Sequence, residues 1–180
     1  DLTVDVAGDI ILDAGGGDLL FNVATTNILA ITNSSSDVII KPVVDAKDII
    51  FQQRDGTSIL EINDGAYAKF TAAAIAPEAT LTDASTVTIN ALTQSVSKVT
   101  LGGNRTIGLA SGGVAGAFIS LLIIQDGTGS RTVSWNAAYE FAADTAPTLT
   151  TTANLGDLFV FRYNGAKWLE VGRNLALTLS

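Results

Sequence analysis

Residues 1–65 read DLTVDVAGDIILDAGGGDLLFNVATTNILAITNSSSDVIIKPVVDAKDIIFQQRDGTSILEINDG. An Asp, Asn or Ser opens a unit at positions 1, 9, 18, 27, 37, 48 and 58, and an apolar run of three to five residues follows each. Runs of Ile, Leu, Val and Phe of this length are typical of β-strands. Gly, Asn, Asp, Ser and Thr between the runs are turn residues. The stretch is therefore predicted to be a strand–turn repeat with a period of about ten residues.

The apolar runs in this repeat do not alternate with polar residues, as Ile10-Ile11-Leu12 and Val38-Ile39-Ile40 show. A strand with one solvated face alternates, so these strands are predicted to be covered on both faces. Because 65 residues cannot supply two covering layers, we expect three copies to intertwine as a trimeric β-prism shaft. A single-chain β-helix is the alternative, which Pro42 and the uneven spacing fit less well. The expected trimer core includes Ile10, Leu12, Leu20 and Leu29.

A change of pattern after residue 65 predicts a connector over residues 66–78, with a short helical turn around its alanine run and Pro77 near its end. Residues 79–180 are predicted to form an antiparallel, jelly-roll-like β-sandwich head. The fold class is thus all-β throughout.

Three segments carry the prediction for the head. Phe118–Gln125 is the most apolar run and is expected at the centre of a sheet. Asn164-Gly165 is a strong hairpin signal. Gly102–Asn104 and Asp126–Ser130 are likewise interpreted as tight turns between paired strands.

Composition excludes several classes of function. The net charge is −8 and the ten Lys and Arg residues are scattered, which disfavours binding to nucleic acid or to an anionic membrane. No apolar run approaches the roughly 20 residues that a membrane-spanning helix needs. The chain has no His and no Cys, so Ser-His-Asp catalysis and the usual His or Cys metal centres are absent. The chain also has no Met, so we expect an N-terminal part to precede residue 1.

A resemblance to a known family rests on Phe118–Trp135, FISLLIIQDGTGSRTVSW, and on Asp157–Gly165, DLFVFRYNG, followed by Trp168. These segments resemble the C-terminal domains of bacteriophage tail fibres. Gly8–Ala14 in the shaft is similar to repeats of phage structural proteins, especially those of marine phages. The resemblance implies a homotrimeric virion protein that contacts other virion proteins and attaches to a bacterial surface.

The candidate binding residues lie in loops of the predicted head. No catalytic residue, cofactor or metal site is predicted, and Asp13–Asp18 is interpreted as a turn rather than a calcium loop. A fibre this acidic is expected to contact neutral sugars of a host glycan. The residues predicted to touch the receptor are Asp126, Thr128, Tyr139 and Phe141. A capsid decoration or tail adaptor protein, or a glycan-degrading tailspike, are the alternative functions.

Overall fold

The computed structural model describes residues 18–179, and they are all-β, as predicted. The chain divides into two compact units, residues 1–74 and 75–180. One short 3₁₀-helix, Ala142–Asp144, interrupts the described strands. The strands are β1 (Asp18–Val23), β2 (Thr26–Ser34), β3 (Asp37–Pro42), β4 (Ile49–Gln52), β5 (Ser58–Asn63), β6 (Tyr67–Phe70), β7 (Glu78–Thr80), β8 (Thr86–Val87), β9 (Val96–Leu101), β10 (Arg105–Ile107), β11 (Phe118–Gln125), β12 (Val133–Trp135), β13 (Tyr139–Glu140), β14 (Leu155–Tyr163) and β15 (Trp168–Thr178).

The first unit contains two antiparallel sheets, each of three strands in chain order, β1-β2-β3 and β4-β5-β6. Each of the five predicted apolar runs that the structure describes lies in one of these strands. Two-residue turns at Ala24-Thr25 and Ser35-Ser36 have positive φ at both positions, the geometry that matches the twist of a hairpin. A β-helix needs parallel coils, so the single-chain β-helix alternative is wrong for these strands.

The helical turn predicted in the connector is wrong, because its alanine run Ala72–Ala74 lies in no helix, and Tyr67–Phe70 before it forms β6 and pairs with β5. Three alanines are too few to form a stable helix without packing against other elements, whereas the aromatic residues at both ends of β6 favour the extended conformation. The expected core residues Ile10 and Leu12 lie outside the described residues.

The second unit is built from chain segments that pass alternately through two sheets. β7, β9 and β11 belong to a six-stranded sheet of order β13-β15-β14-β11-β9-β7, and β8, β10 and β12 form a three-stranded sheet. Neighbours within each of these two series are parallel, so successive turns of the chain stack on one another. β14 and β15 then extend the larger sheet as an antiparallel hairpin.

This arrangement corrects the predicted antiparallel sandwich. The loops Gly102–Asn104 and Asp126–Ser130 carry the chain from one sheet to the other and do not join paired strands. A turn sequence reverses the chain locally but does not select the partner strand. Crossing to a second sheet instead encloses Val87 and Ile107, both 0% exposed, in the common core.

Two predictions for the second unit are confirmed. β11 lies between β9 and β14 inside the six-stranded sheet, and its alternate residues are buried. The Asn164-Gly165 segment joins β14 to β15, with Tyr163 opposite Trp168. The core that both sheets share contains Val99, Leu101, Ile119, Leu121, Ile123, Phe159, Phe161 and Trp168.

Candidate interaction surfaces

The sheet β1-β2-β3 carries apolar side chains on both of its faces. Its register places Leu19 beside Ile31 and Ile31 beside Ile40, and the neighbouring row joins Leu20 to Ala30. Because successive residues of a strand point to opposite faces, these two rows lie on opposite sides of the sheet. The first face presents Leu19, Phe21, Leu29, Ile31, Val38 and Ile40, and the second presents Leu20, Ile28, Ala30 and Ile39 together with Thr32, Asp37 and Lys41.

These side chains are largely uncovered within one chain. In residues 18–74 only Ala30 is a buried apolar residue, whereas Val38 is 73% and Ile40 is 58% exposed. Of the expected trimer-core residues, Leu20 is 50% exposed and Leu29 is half-buried. The sheet therefore has the apolar composition of buried core strands, but most of its apolar side chains are not buried within one chain.

The sheet β4-β5-β6 has one apolar and one mixed face. Pairing joins Ile49 to Ile62 and Phe51 to Leu60, and β6 continues the two rows. The opposite face includes the Glu61–Lys69 ion pair, whose atoms lie 3.2 Å apart. The uninterrupted apolar face consists of Ile49, Phe51, Leu60, Ile62, Ala68 and Phe70.

In the second unit, the predicted contact residue Asp126 closes its own loop. Its carboxylate accepts hydrogen bonds from the Thr128 and Gly129 amides at 3.0 and 2.8 Å, and from the Arg131 guanidinium at 2.7 Å. The Arg131 side chain, with the Gly129 amide, lowers the pKa of Asp126 below its usual value. Asp126 is thus engaged in local structure, while Thr128 lies exposed at the loop tip.

Tyr139 and Phe141 do not lie on the surface. They are 5% and 8% exposed, and both pack edge-on against Trp135, with ring centroids 5.3 and 5.2 Å away. The Tyr139 hydroxyl donates a hydrogen bond to the Gly108 carbonyl at 3.2 Å, and burial raises its pKa. Their predicted role as receptor-contacting residues is corrected by this burial, because both rings belong to the core.

A cavity of about 550 Å³ opens beside the Asp126 loop, at the ends of four strands of the larger sheet. Ile124, Leu155 and Leu179 supply its apolar wall. Its polar lining includes Thr100, Asn154 and Thr178. Sequence analysis missed these six positions, because they come from strands and loops far apart in the chain.

Comparison with known families identifies the second unit. A family model described as "Putative phage tail fibre C-terminal domain" matches residues 75–168. The chain belongs to this tail fibre family. The match begins at the first residue of the second unit and extends into β15. A search of curated proteins finds no match.

The family confirms the predicted resemblance and makes the protein a component of the virion. Its tail fibre domain is the two-sheet unit that contains the aromatic core and the cavity. In residues 18–179 no helix has the length and hydrophobicity to cross a membrane. The same part of the fibre chain contains no group of three or more acidic residues placed to hold a metal ion.

Proposed function

We propose that this tail fibre protein is a homotrimer whose shaft, residues 1–65, shares one apolar core among three chains, and that it attaches the virion to a bacterial surface. The observation that carries the proposal is the sheet β1-β2-β3, which carries apolar side chains on both faces that are largely exposed within one chain. A dimer would cover one face of such a sheet. Three intertwined chains allow each sheet to contact two neighbours.

The exposed apolar area is large enough to drive this association. Fifteen large apolar side chains in residues 18–74 are exposed in the single chain. Each of these side chains is about half exposed, and burying that half in the trimer contributes on the order of 1 kcal/mol to the free energy of association. The sum of roughly 15 kcal/mol per chain matches or exceeds the association cost of about 4–15 kcal/mol.

Attachment is proposed to be binding without turnover. Three carboxylates of the second unit are engaged in structural contacts: Asp83 pairs with Arg105, Asp126 pairs with Arg131, and Asp157 accepts backbone amides. Carboxylates held in this way support the architecture of the head and are not poised as a general acid and base. Other virion proteins are the partners proposed for the remainder of the fibre.

The shaft proposal is tested by native mass spectrometry of the full chain. Ile39→Asp places a charge on an apolar face of β3, so we expect loss of the trimer. Ile75→Asp is the matched control, because Ile75 is 82% exposed and lies outside the strands, and this variant should remain trimeric. A monomeric wild-type chain whose first unit is still folded would refute the shared core.

The attachment proposal is tested by binding of the fluorescently labelled full chain to a panel of bacterial strains. We expect saturable binding to some strains with no release of sugar fragments. If no strain binds, a decoration or adaptor role replaces attachment. Release of oligosaccharide from bound cells would establish the glycan-degrading alternative.

A further inference from the structure

We infer that the cavity beside the Asp126 loop is a binding site for a neutral sugar ring of a surface glycan. This inference rests on the proposed attachment function and adds the place and the chemistry of recognition. The cavity, of about 550 Å³, lies within the range of about 300–1,000 Å³ that is typical of small-molecule sites. That volume accommodates one or two sugar rings.

The wall of the cavity suits the carbon face of a sugar. Ile124 and Leu155 come from neighbouring strands, and Leu179 follows β15 at the same end of the sheet. Gly156 lies between them, and a Cβ atom there would approach the Leu179 Cδ1 atom to 2.9 Å. The absence of a side chain at Gly156 therefore lets Leu179 fold down beside the cavity. Aliphatic groups in this arrangement can pack against the C–H groups of a pyranose.

The polar lining suits the hydroxyl groups of a sugar. Thr100, Asn154 and Thr178 are exposed, and their side chains make no hydrogen bonds to other groups of residues 18–179. An amide and a hydroxyl each both donate and accept, which is what a sugar hydroxyl requires. Three such groups therefore converge on one cavity with their hydrogen-bonding capacity unused.

The position of Asn154 is held rigidly. Its φ of 64° lies in the left-handed region, which Asn tolerates better than most residues. Its backbone N–H donates to the Asp126 carbonyl at 3.2 Å, and the nearby Ser130 N–H donates to the Thr151 carbonyl at 2.8 Å. These bonds tie the backbone at Asn154 to the Asp126 loop, which lowers the entropic cost of binding at this rim of the cavity.

The charge of the site selects a neutral ligand. Among residues 18–179, Asp126 is the one charged residue that lines the cavity, and Arg131 neutralises it through bonds at 2.7 and 3.1 Å. The described part of the lining contains no Lys or Arg that could attract a phosphate or an acidic sugar. The chain as a whole carries a charge of −8, which further disfavours anions.

The test uses NMR of the full chain labelled at Ile and Leu methyl groups. Glucose, galactose, mannose and N-acetylglucosamine are the neutral probes, and N-acetylneuraminic acid is the anionic probe. We expect at least one neutral sugar to shift the methyl signals of Ile124, Leu155 and Leu179 with a Kd in the millimolar range, about that of a single small ligand with few contacts. Because the site is uncharged, this Kd should change little as the salt concentration rises.

Variants of the lining separate this site from any other sugar site. Thr100→Tyr fills the cavity and should weaken binding at least about tenfold, as expected when a ligand's volume is occupied. Asn154→Gly keeps the left-handed backbone, removes the amide and should weaken binding about fivefold, the effect of one lost hydrogen bond. Thr80→Tyr is the control, because Thr80 is exposed on the same sheet outside the cavity lining, and its Kd should be unchanged.

Three results would overturn the inference: no neutral sugar shifts these methyl signals, N-acetylneuraminic acid binds more tightly than the neutral sugars, or Thr100→Tyr binds sugar as well as Thr80→Tyr does. Cell binding distinguishes failure of the site from failure of the proposed function. If Thr100→Tyr attaches to the same strains as the wild-type chain with equal affinity, the cavity assignment is wrong while attachment stands.

Discussion

Replacing Asp157 with Ala should destabilise the second unit without changing its surface. The carboxylate is 2% exposed and lies in β14. It accepts the Thr150 N–H at 2.7 Å and the Ala176 N–H at 2.9 Å. One buried side chain thereby joins β14 to Thr150 in the segment before it and to Ala176 near the end of β15.

The size of the effect follows from which donors lose their acceptor. The Thr150 N–H would be left without its carboxylate acceptor, a loss that costs about 1–3 kcal/mol for a buried donor. The Ala176 N–H keeps a second acceptor, the Thr150 Oγ1 atom at 3.0 Å. Losing the carboxylate at this donor therefore costs less stability, roughly 1 kcal/mol. The total of about 2–4 kcal/mol is expected for Asp157→Ala. Asp157→Asn retains one acceptor oxygen for the Thr150 N–H but turns an NH₂ donor towards the Ala176 N–H, which still has the Thr150 Oγ1 atom, so its cost should lie below that of Asp157→Ala.

Urea denaturation of the full chain, followed by tryptophan fluorescence, measures this effect. Both tryptophans of the protein, Trp135 and Trp168, lie in the second unit, so their emission reports its unfolding. Asp144→Asn removes the charge of an exposed carboxylate and keeps a residue type that tolerates the φ of 53° at this position, so it is the matched control, expected within about 0.5 kcal/mol of wild type. A loss below about 0.5 kcal/mol for Asp157→Ala, or equal losses for the Ala and Asn variants, would refute this account.

Three further predictions concern the second unit. Tyr139→Ala should lower the free energy of unfolding by about 3–5 kcal/mol in the same assay, whereas Tyr139→Phe should lower it by only about 1 kcal/mol. A Tyr139→Ala variant as stable as wild type would show that the ring is not part of the core. The Arg105 guanidinium lowers the pKa of Asp83, so the stability that this pair supplies is present above about pH 4 and is lost as the pH falls through the folded-state pKa. The melting temperature of Asp83→Asn should accordingly fall less than that of wild type between pH 7 and pH 2, and parallel curves would contradict the assignment. Gly129→Ala should lower the melting temperature, because its φ is +74° and its Cβ would lie 2.5 Å from a backbone carbonyl, whereas Gly127→Ala in the same loop meets no atom within 4 Å and should match wild type.

The strands of the first unit could be predicted from local sequence. Each of its described apolar runs, such as Val38-Ile39-Ile40, lies between turn residues, and the structure contains a strand at each of them. Because these runs do not alternate, they place apolar residues on both faces of β1-β2-β3, as its register shows, whereas the predicted covering of both faces stays a prediction. Period and composition act over a few residues, so they are visible in the sequence alone.

Strand partners and burial in the second unit could not be predicted in the same way. Asp126–Ser130 has the sequence of a hairpin turn, yet it connects two sheets, because the choice of partner depends on which packing encloses residues such as Ile107. Tyr139 is predicted from the sequence to lie in an accessible loop, but its ring is enclosed by Trp135 and its neighbours.

The sequence by itself determined the all-β class, the positions of the shaft strands, the central strand β11 and the hairpin at Asn164-Gly165. Tertiary structure alone decided the parallel stacking, the burial of the aromatic cluster and the cavity that brings Thr100 and Asn154 together. The physical reason is the range of the interactions involved. Turn and strand preferences arise from neighbouring residues, whereas a shared core and a cavity arise from side chains that only the completed fold brings into contact.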